Sequence, residues 1–160
     1  MGYLLVLALI IVTPWLRESV RKPMTKARRK AAPGEFVRLS QGVTHYQWHG
    51  PPRGPVVVAI HGLTTPSIVW KALIPALSVL GFRALTYDLY GRGFSDRAAG
   101  DQTRAFFLTQ LRDLLTDQGL DDDLILMGYS MGGSIATAFA AAEPDRVRRL
   151  ILLATTRIEM

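Results

Sequence analysis

From residue 56 onward the chain alternates between short apolar runs and longer segments whose apolar residues recur every three or four positions. Val56 to Ile60 reads VVVAI with no polar interruption, the pattern of a central strand buried on both faces. His61-Gly62 ends it. Ser67 to Leu80 is predicted helical, with Val69, Leu73, Leu77 and Leu80 on one face and Gly81 as the stop. Pro75 is expected to kink or restart that helix. Phe82 to Tyr87 follows as a strand. Thr103 to Gln118 is predicted as an amphipathic helix that turns Phe107, Leu111, Leu114 and Leu115 inward and stops at Gly119. Leu124 to Met127 is a strand, Ser130 to Glu143 a helix ended by Pro144, and Leu150 to Ala154 a last strand. Upstream, Phe36 to Leu39 and Val43 to Trp48 form two short strands around a Gln41-Gly42 turn, and Pro51, Pro52, Gly54 and Pro55 mark a loop. Strand and helix alternate throughout. The expected class is α/β, a mostly parallel central sheet with helices on both faces, in a domain beginning near Glu35.

A different pattern occupies the N-terminus. Tyr3 to Leu16 (YLLVLALIIVTPWL) carries no charge. As a helix it would measure about 21 Å, against about 30 Å for a bilayer's hydrocarbon core. Residues 1–16 are read as a membrane anchor that spans with help from a snorkelling Arg17 and an interfacial Trp15. Two alternatives are a signal peptide, which would want its basic residues before the apolar run, and an interfacial segment that never crosses. Seven basic residues and one acid, Glu18, lie between Arg17 and Lys30, and this +6 equals the net charge of the whole chain. The remainder therefore balances to zero. A basic run beside an apolar one points to a membrane partner and away from nucleic acid, which favours basic residues across a folded face. Residues 17–34 read as a basic linker, and its charge predicts a cytoplasmic side for the folded domain.

Composition narrows the chemistry. There is no cysteine, so thiolate catalysis and disulfides are excluded. The three histidines, His45, His49 and His61, lack metal-ligand spacing, and no metal or cofactor is expected. The candidate chemistry is Gly128-Tyr129-Ser130-Met131-Gly132, a G-x-S-x-G directly after an apolar strand and at the start of a helix of small residues. That is the setting of a nucleophile elbow: a sharp turn projects the serine hydroxyl clear of the sheet, and glycines two positions either side avoid a collision between side chains. Other readings are weaker. Asp88 ends a strand, where catalytic acids occur in such sheets, and His61 could act as a base. Gly91-Arg92-Gly93 lacks the third glycine of a dinucleotide loop, and Asp121 to Asp123 reads as a solvated turn.

Four features in order resemble the α/β-hydrolase fold family: His61-Gly62 after the buried strand, Asp88 to Asp96 (DLYGRGFSD) after the next, the elbow at Ser130, and Glu143 to Val147 (EPDRV) before the last strand. The resemblance covers about Glu35 to Ala154. It implies Ser130 as nucleophile and the backbone N–H groups of Leu63 and Met131 as the oxyanion hole. It gives structural roles to His61, Gly62, Gly128 and Gly132, and to Asp88 a part in shaping its turn. In the family the acid follows a seventh strand and the base histidine an eighth. The expectation is a fold truncated after the sixth strand, residues 35–160 being a partial domain that is inactive alone. Family members that open epoxides use aspartate at the elbow, so serine implies acyl chemistry. The expected function is hydrolysis of carboxylic esters, lipid-like or otherwise apolar, with a small-molecule ester as substrate. Alternatives are a carbon–carbon-bond hydrolase, a perhydrolase, or a non-catalytic binding module on the same fold.

Overall fold

The computed structural model describes residues 2–19 and 24–155. Its centre is a six-stranded sheet in the order β1-β2-β4-β3-β5-β6. The strands are β1 (Glu35–Arg38), β2 (Val43–His49), β3 (Val56–Ile60), β4 (Arg83–Tyr87), β5 (Leu124–Tyr129) and β6 (Val147–Leu153). β1–β2 and β2–β4 pair antiparallel, and β4, β3, β5 and β6 run parallel. The predicted class therefore holds.

The uninterrupted apolar runs are explained by burial on both faces. In β3, Val58 and Ile60 pack on one side with Leu111 and Leu114 of α4 (Arg104–Asp117) and Ile135 and Phe139 of α5 (Met131–Ala142). Val57 and Ala59 point the other way, onto Trp70, Leu73 and Leu77. The segment predicted as one helix over 67–80 divides into a 3-10 turn, Ser67–Ala72, and α3 (Ile74–Val79). Pro75 sits in the first turn of α3, where its missing N–H costs nothing. The last strand begins at Val147, three residues earlier than its apolar run suggests. β6 is an edge strand, and Arg148 and Arg149 remain exposed on it, Arg149 pairing with Ile125 of β5 and Arg148 falling at the register shift beside Leu124.

Residues 20–23 of the basic linker lie outside the described residues. Farther on in the linker, Thr25 caps a short helix, α2 (Lys26–Ala31), and Arg29 of that helix pairs with Asp96. The apolar segment forms α1 (Gly2–Ser19). Among the described residues no helix is long and apolar enough to cross a membrane. The uncharged run falls some 9 Å short of the hydrocarbon core by the arithmetic above, and Arg17 and Glu18 occupy the last turn.

Leu111 is fully buried between α4 and the sheet, whereas Val79 is 87% exposed at the end of α3. Leu111→Ala should therefore cost about 2–5 kcal/mol of unfolding free energy and Val79→Ala less than about 0.5 kcal/mol, measured by urea denaturation. Equal losses would contradict this assignment of the core.

Candidate active site

β3 and β5 lie side by side with Ile60 opposite Gly128. Continuing that register by two residues places Gly62 beside Ser130, the first residue past the end of β5. The chain leaves β3 for β4 on one side and returns to β5 on the other, and in such sheets the crevice lies beyond the carboxyl ends of the strands.

Ser130 is the turn between β5 and α5, with φ 51° and ψ −119°. A non-glycine residue at positive φ is strained, by about 1–3 kcal/mol. Surrounding bonds hold it there. Its N–H donates to the Leu153 carbonyl at 3.0 Å, and its carbonyl accepts from the Gly133 N–H at 2.9 Å. The glycines act differently from the expected mutual avoidance. A Cβ on Gly128 would stand 2.5 Å from the Gly133 Cα, and one on Gly132 would stand 2.1 Å from the Ile60 carbonyl oxygen. Each glycine makes room for backbone, not for the other's side chain. Gly62 completes the corner, since a Cβ there would lie 3.1 Å from the Ser130 Cβ. Leu63 and Met131 come next in the two adjoining turns. Met131 opens α5, so its N–H has no acceptor within the helix.

His61 is fully buried beside this corner. Its Nδ1 donates to the Gly62 carbonyl at 2.7 Å, and its Nε2 accepts the Leu89 N–H at 2.9 Å. Burial pushes the imidazole below its ordinary value, which favours the neutral ring that these bonds require. The ring splices the end of β3 to the turn after β4, and both nitrogens are occupied by backbone. The other histidines are also engaged away from Ser130. His49 Nε2 lies 3.0 Å from the Thr86 hydroxyl, and His45 lies between Asp88 and the Pro33 carbonyl.

Asp88 is a buried fastener. Its carboxylate accepts from His45 Nδ1 at 2.8 Å, from the Ser67 N–H at 2.8 Å and from the Phe94 N–H at 2.9 Å. Burial works to raise this carboxyl, and the bonds from His45, Phe94 and Ser67 outweigh it and hold the group below the usual carboxylate range. One side chain thus fixes β2, the 3-10 turn and the glycine turn after β4. Gly93 has φ 51°, and a Cβ there would sit 2.0 Å from Asp88 Oδ2, so this turn wraps a carboxylate and not a nucleotide. Asp121 to Asp123 form an exposed turn, as expected.

Two positioning residues escaped the sequence reading. Arg92 donates from Nε to the Leu63 carbonyl at 3.1 Å and from Nη1 to the Tyr90 carbonyl at 2.8 Å, tying the loop after β3 to the glycine turn. Leu63, Thr64, Arg92 and Gln102 help line a polar cleft of about 490 Å³ there. Gln110 of α4 accepts the Tyr90 N–H at 3.0 Å and donates to the Asp88 carbonyl at 3.0 Å. Its signal was available: Gln110 lies one position before Leu111, within the buried stripe of α4, where a polar residue needs a reason.

Gly132→Ala forces a Cβ into strand backbone and should cost at least about 3 kcal/mol, or prevent folding. Gly119→Ala meets no atom within 4 Å and carries only the left-handed penalty of its φ of 64°, about 1–2 kcal/mol. Urea denaturation of both variants separates the two costs. For Asp88 the sign follows from a folded-state pKa below the unfolded one. Its stabilisation is complete above the ordinary carboxylate pKa of about 3.9 and is lost as the pH falls through the folded value. The stability gap between the wild type and Asp88→Asn should accordingly be largest near neutrality and shrink below about pH 4. A gap unchanged at acid pH would contradict the ionised hub.

The comparisons with known proteins agree with this architecture. The family model for the alpha/beta hydrolase fold matches residues 55–160. Lipase LipV of Mycobacterium tuberculosis is 38% identical over 109 residues, covering 68% of this chain and 40% of the lipase. Epoxide hydrolase 3 of Xenopus tropicalis is 30% identical over 155 residues, covering 86% of this chain and 42% of that protein. Among solved structures, the thioesterase domain from the curacin biosynthetic pathway superposes with a TM-score of 0.71 at 27% identity, over 79% of this chain and 47% of the other. The chain thus spans less than half the length of each of these proteins. With the family model matching through the strand, the elbow and the last strand, the chain belongs to the α/β-hydrolase fold family.

Proposed function

We propose that Ser130 is the nucleophile of a carboxylic-ester hydrolase, and that these residues supply its nucleophile and oxyanion half. The observation that carries the reading is the serine's strained backbone at φ 51°, held between β5 and α5 and faced by the bare backbone of Gly62. In the reaction, Ser130 Oγ attacks the ester carbonyl carbon and its proton passes to a general base. The N–H groups of Leu63 and Met131 donate to the carbonyl oxygen as it becomes negative, a contribution typically worth about 3–4 kcal/mol for one such donor. The carbon–oxygen bond to the alcohol breaks, and the alcohol takes up the proton. Water then releases the acid from the acyl-serine by the same steps. The helix N-terminus beneath Ser130 adds a favourable field for the anion. Serine at the elbow distinguishes this site from the aspartate nucleophile expected of epoxide-opening relatives. The similarity to a protein named as a lipase supports an apolar, lipid-like acyl group.

The base is the missing partner. His45 and His61 have both ring nitrogens engaged elsewhere, His49 directs its Nε2 to the Thr86 hydroxyl, and the sequence holds no histidine after Ser130. An unassisted serine hydroxyl stays protonated and attacks weakly. The 160-residue chain by itself should hydrolyse a short-chain nitrophenyl ester at least about a thousandfold more slowly than the roughly 1–1000 s⁻¹ usual for enzymes. What activity remains should fall further in Ser130→Ala. Turnover in the ordinary enzymatic range would show that one of the three histidines is the base after all. Residual activity unchanged by Ser130→Ala would remove the nucleophile.

A further inference from the structure

We propose that α1 and the cationic stretch after it seat the protein on an anionic lipid bilayer, with α1 buried in the interfacial part of one leaflet and not crossing it. This goes beyond the esterase reading and does not depend on it.

The first observation is that α1 has no polar face. Val6, Leu7, Leu9, Ile11, Val12 and Trp15 point around the whole circumference of the helix, and their exposure runs from 47% at Val12 to 81% at Trp15. A groove on a protein covers one stripe of a helix; a fluid hydrocarbon covers every side. That distinguishes lipid from a protein partner. The Thr13 hydroxyl donates back to the Leu9 carbonyl at 2.5 Å, so this polar side chain is satisfied within the helix. The second observation limits the depth. The uncharged run is too short to span, and Pro14, inside the helix, provides no N–H for the Ile10 carbonyl four residues earlier. Near the headgroups water can hydrate that released carbonyl, whereas at the bilayer centre a neighbouring helix or side chain would have to satisfy it. Trp15, at the end of the run, is the residue type that settles at this boundary, and Arg17 follows it by two positions.

Charge identifies the lipid. All of the chain's net charge of +6 is concentrated between Arg17 and Lys30. In α2, Arg29 turns toward the domain, pairing with Asp96 and lying 5.7 Å over the Phe36 ring. Arg28 and Lys30, its neighbours, are exposed. Along the chain, exposed cations thus follow shortly after an apolar helix. An anionic surface complements that arrangement, and a neutral one meets only half of it.

The test is flotation of the whole chain with phosphatidylcholine vesicles, with and without phosphatidylglycerol. The chain should float with the anionic vesicles, and affinity should drop by about tenfold or more on neutral vesicles or at high salt. Deleting residues 2–19 should abolish binding to both. Arg28→Gln with Lys30→Gln should weaken binding to anionic vesicles only. Alkaline carbonate should release the bound protein, and the Trp15 emission, isolated by comparison with Trp15→Phe, should shift to the blue with shallow quenching by brominated lipids. Ser130→Ala should float like the wild type, which keeps this outcome separate from the nucleophile's. Three results would overturn the proposal: unchanged flotation without residues 2–19, self-association through α1 with no vesicle binding, or carbonate resistance with the N-terminus protected from protease, as a crossing helix would give.

Discussion

The close approach of backbone to backbone at the start of α5 is the constraint on which the site depends. The helix begins against the end of β3, with the Gly132 Cα facing the Ile60 carbonyl so closely that a methyl group does not fit. Gly128 makes the same allowance against the backbone of α5 itself, and Gly133 leaves room for the Thr155 side chain. With no side chains in the way, the chain reverses from strand to helix within one residue, and that residue, Ser130, takes the strain. A looser junction would relax the serine into an ordinary conformation and move its hydroxyl away from the Gly62 corner. The strain is sustained by the parallel pairing of β3 with β5 and by the bond from Ser130 N–H to Leu153 on β6.

Electrostatics organise the loops above that junction, and they do so with groups kept out of the chemistry. Asp88 is ionised and fully engaged; His61 is neutral and fully engaged. Each draws a loop onto a strand end at little cost, because its polar atoms exchange water for well-placed partners. Arg92 extends the same network to the Leu63 carbonyl on the loop carrying one proposed oxyanion donor. The residues that most resemble catalytic groups in the sequence, an aspartate and a histidine at strand ends, are in this sense scaffolding for the serine.

The parallel strands and α4 were legible from residue patterns because burial on two faces leaves no polar position in β3 and a clean stripe on α4. The elbow was legible because its glycines and its strand-to-helix context coincide. Legibility ended where a residue's role depends on distant partners. Nothing local to Arg29 announces Asp96 or the short helix α2 that carries the pair. Nothing local to Arg92 announces Leu63. β6 was read three residues short because pairing, not hydrophobicity, sets where an edge strand begins. What the elbow glycines spare was not legible, since the neighbours of Gly128 and Gly132 are backbone atoms brought close only by the fold. The N-terminal run is readable as apolar, with its proline and its charges gathered toward its C-terminal end.

The central claim is that one strained serine is the reactive group of the protein. Exposure to a fluorophosphonate, with imidazole added as an external base, followed by peptide mapping of the adduct, tests it most directly. The account predicts a single modified peptide containing Ser130, with no adduct in Ser130→Ala. Modification at any other residue, or none at Ser130 when imidazole is present, would contradict it.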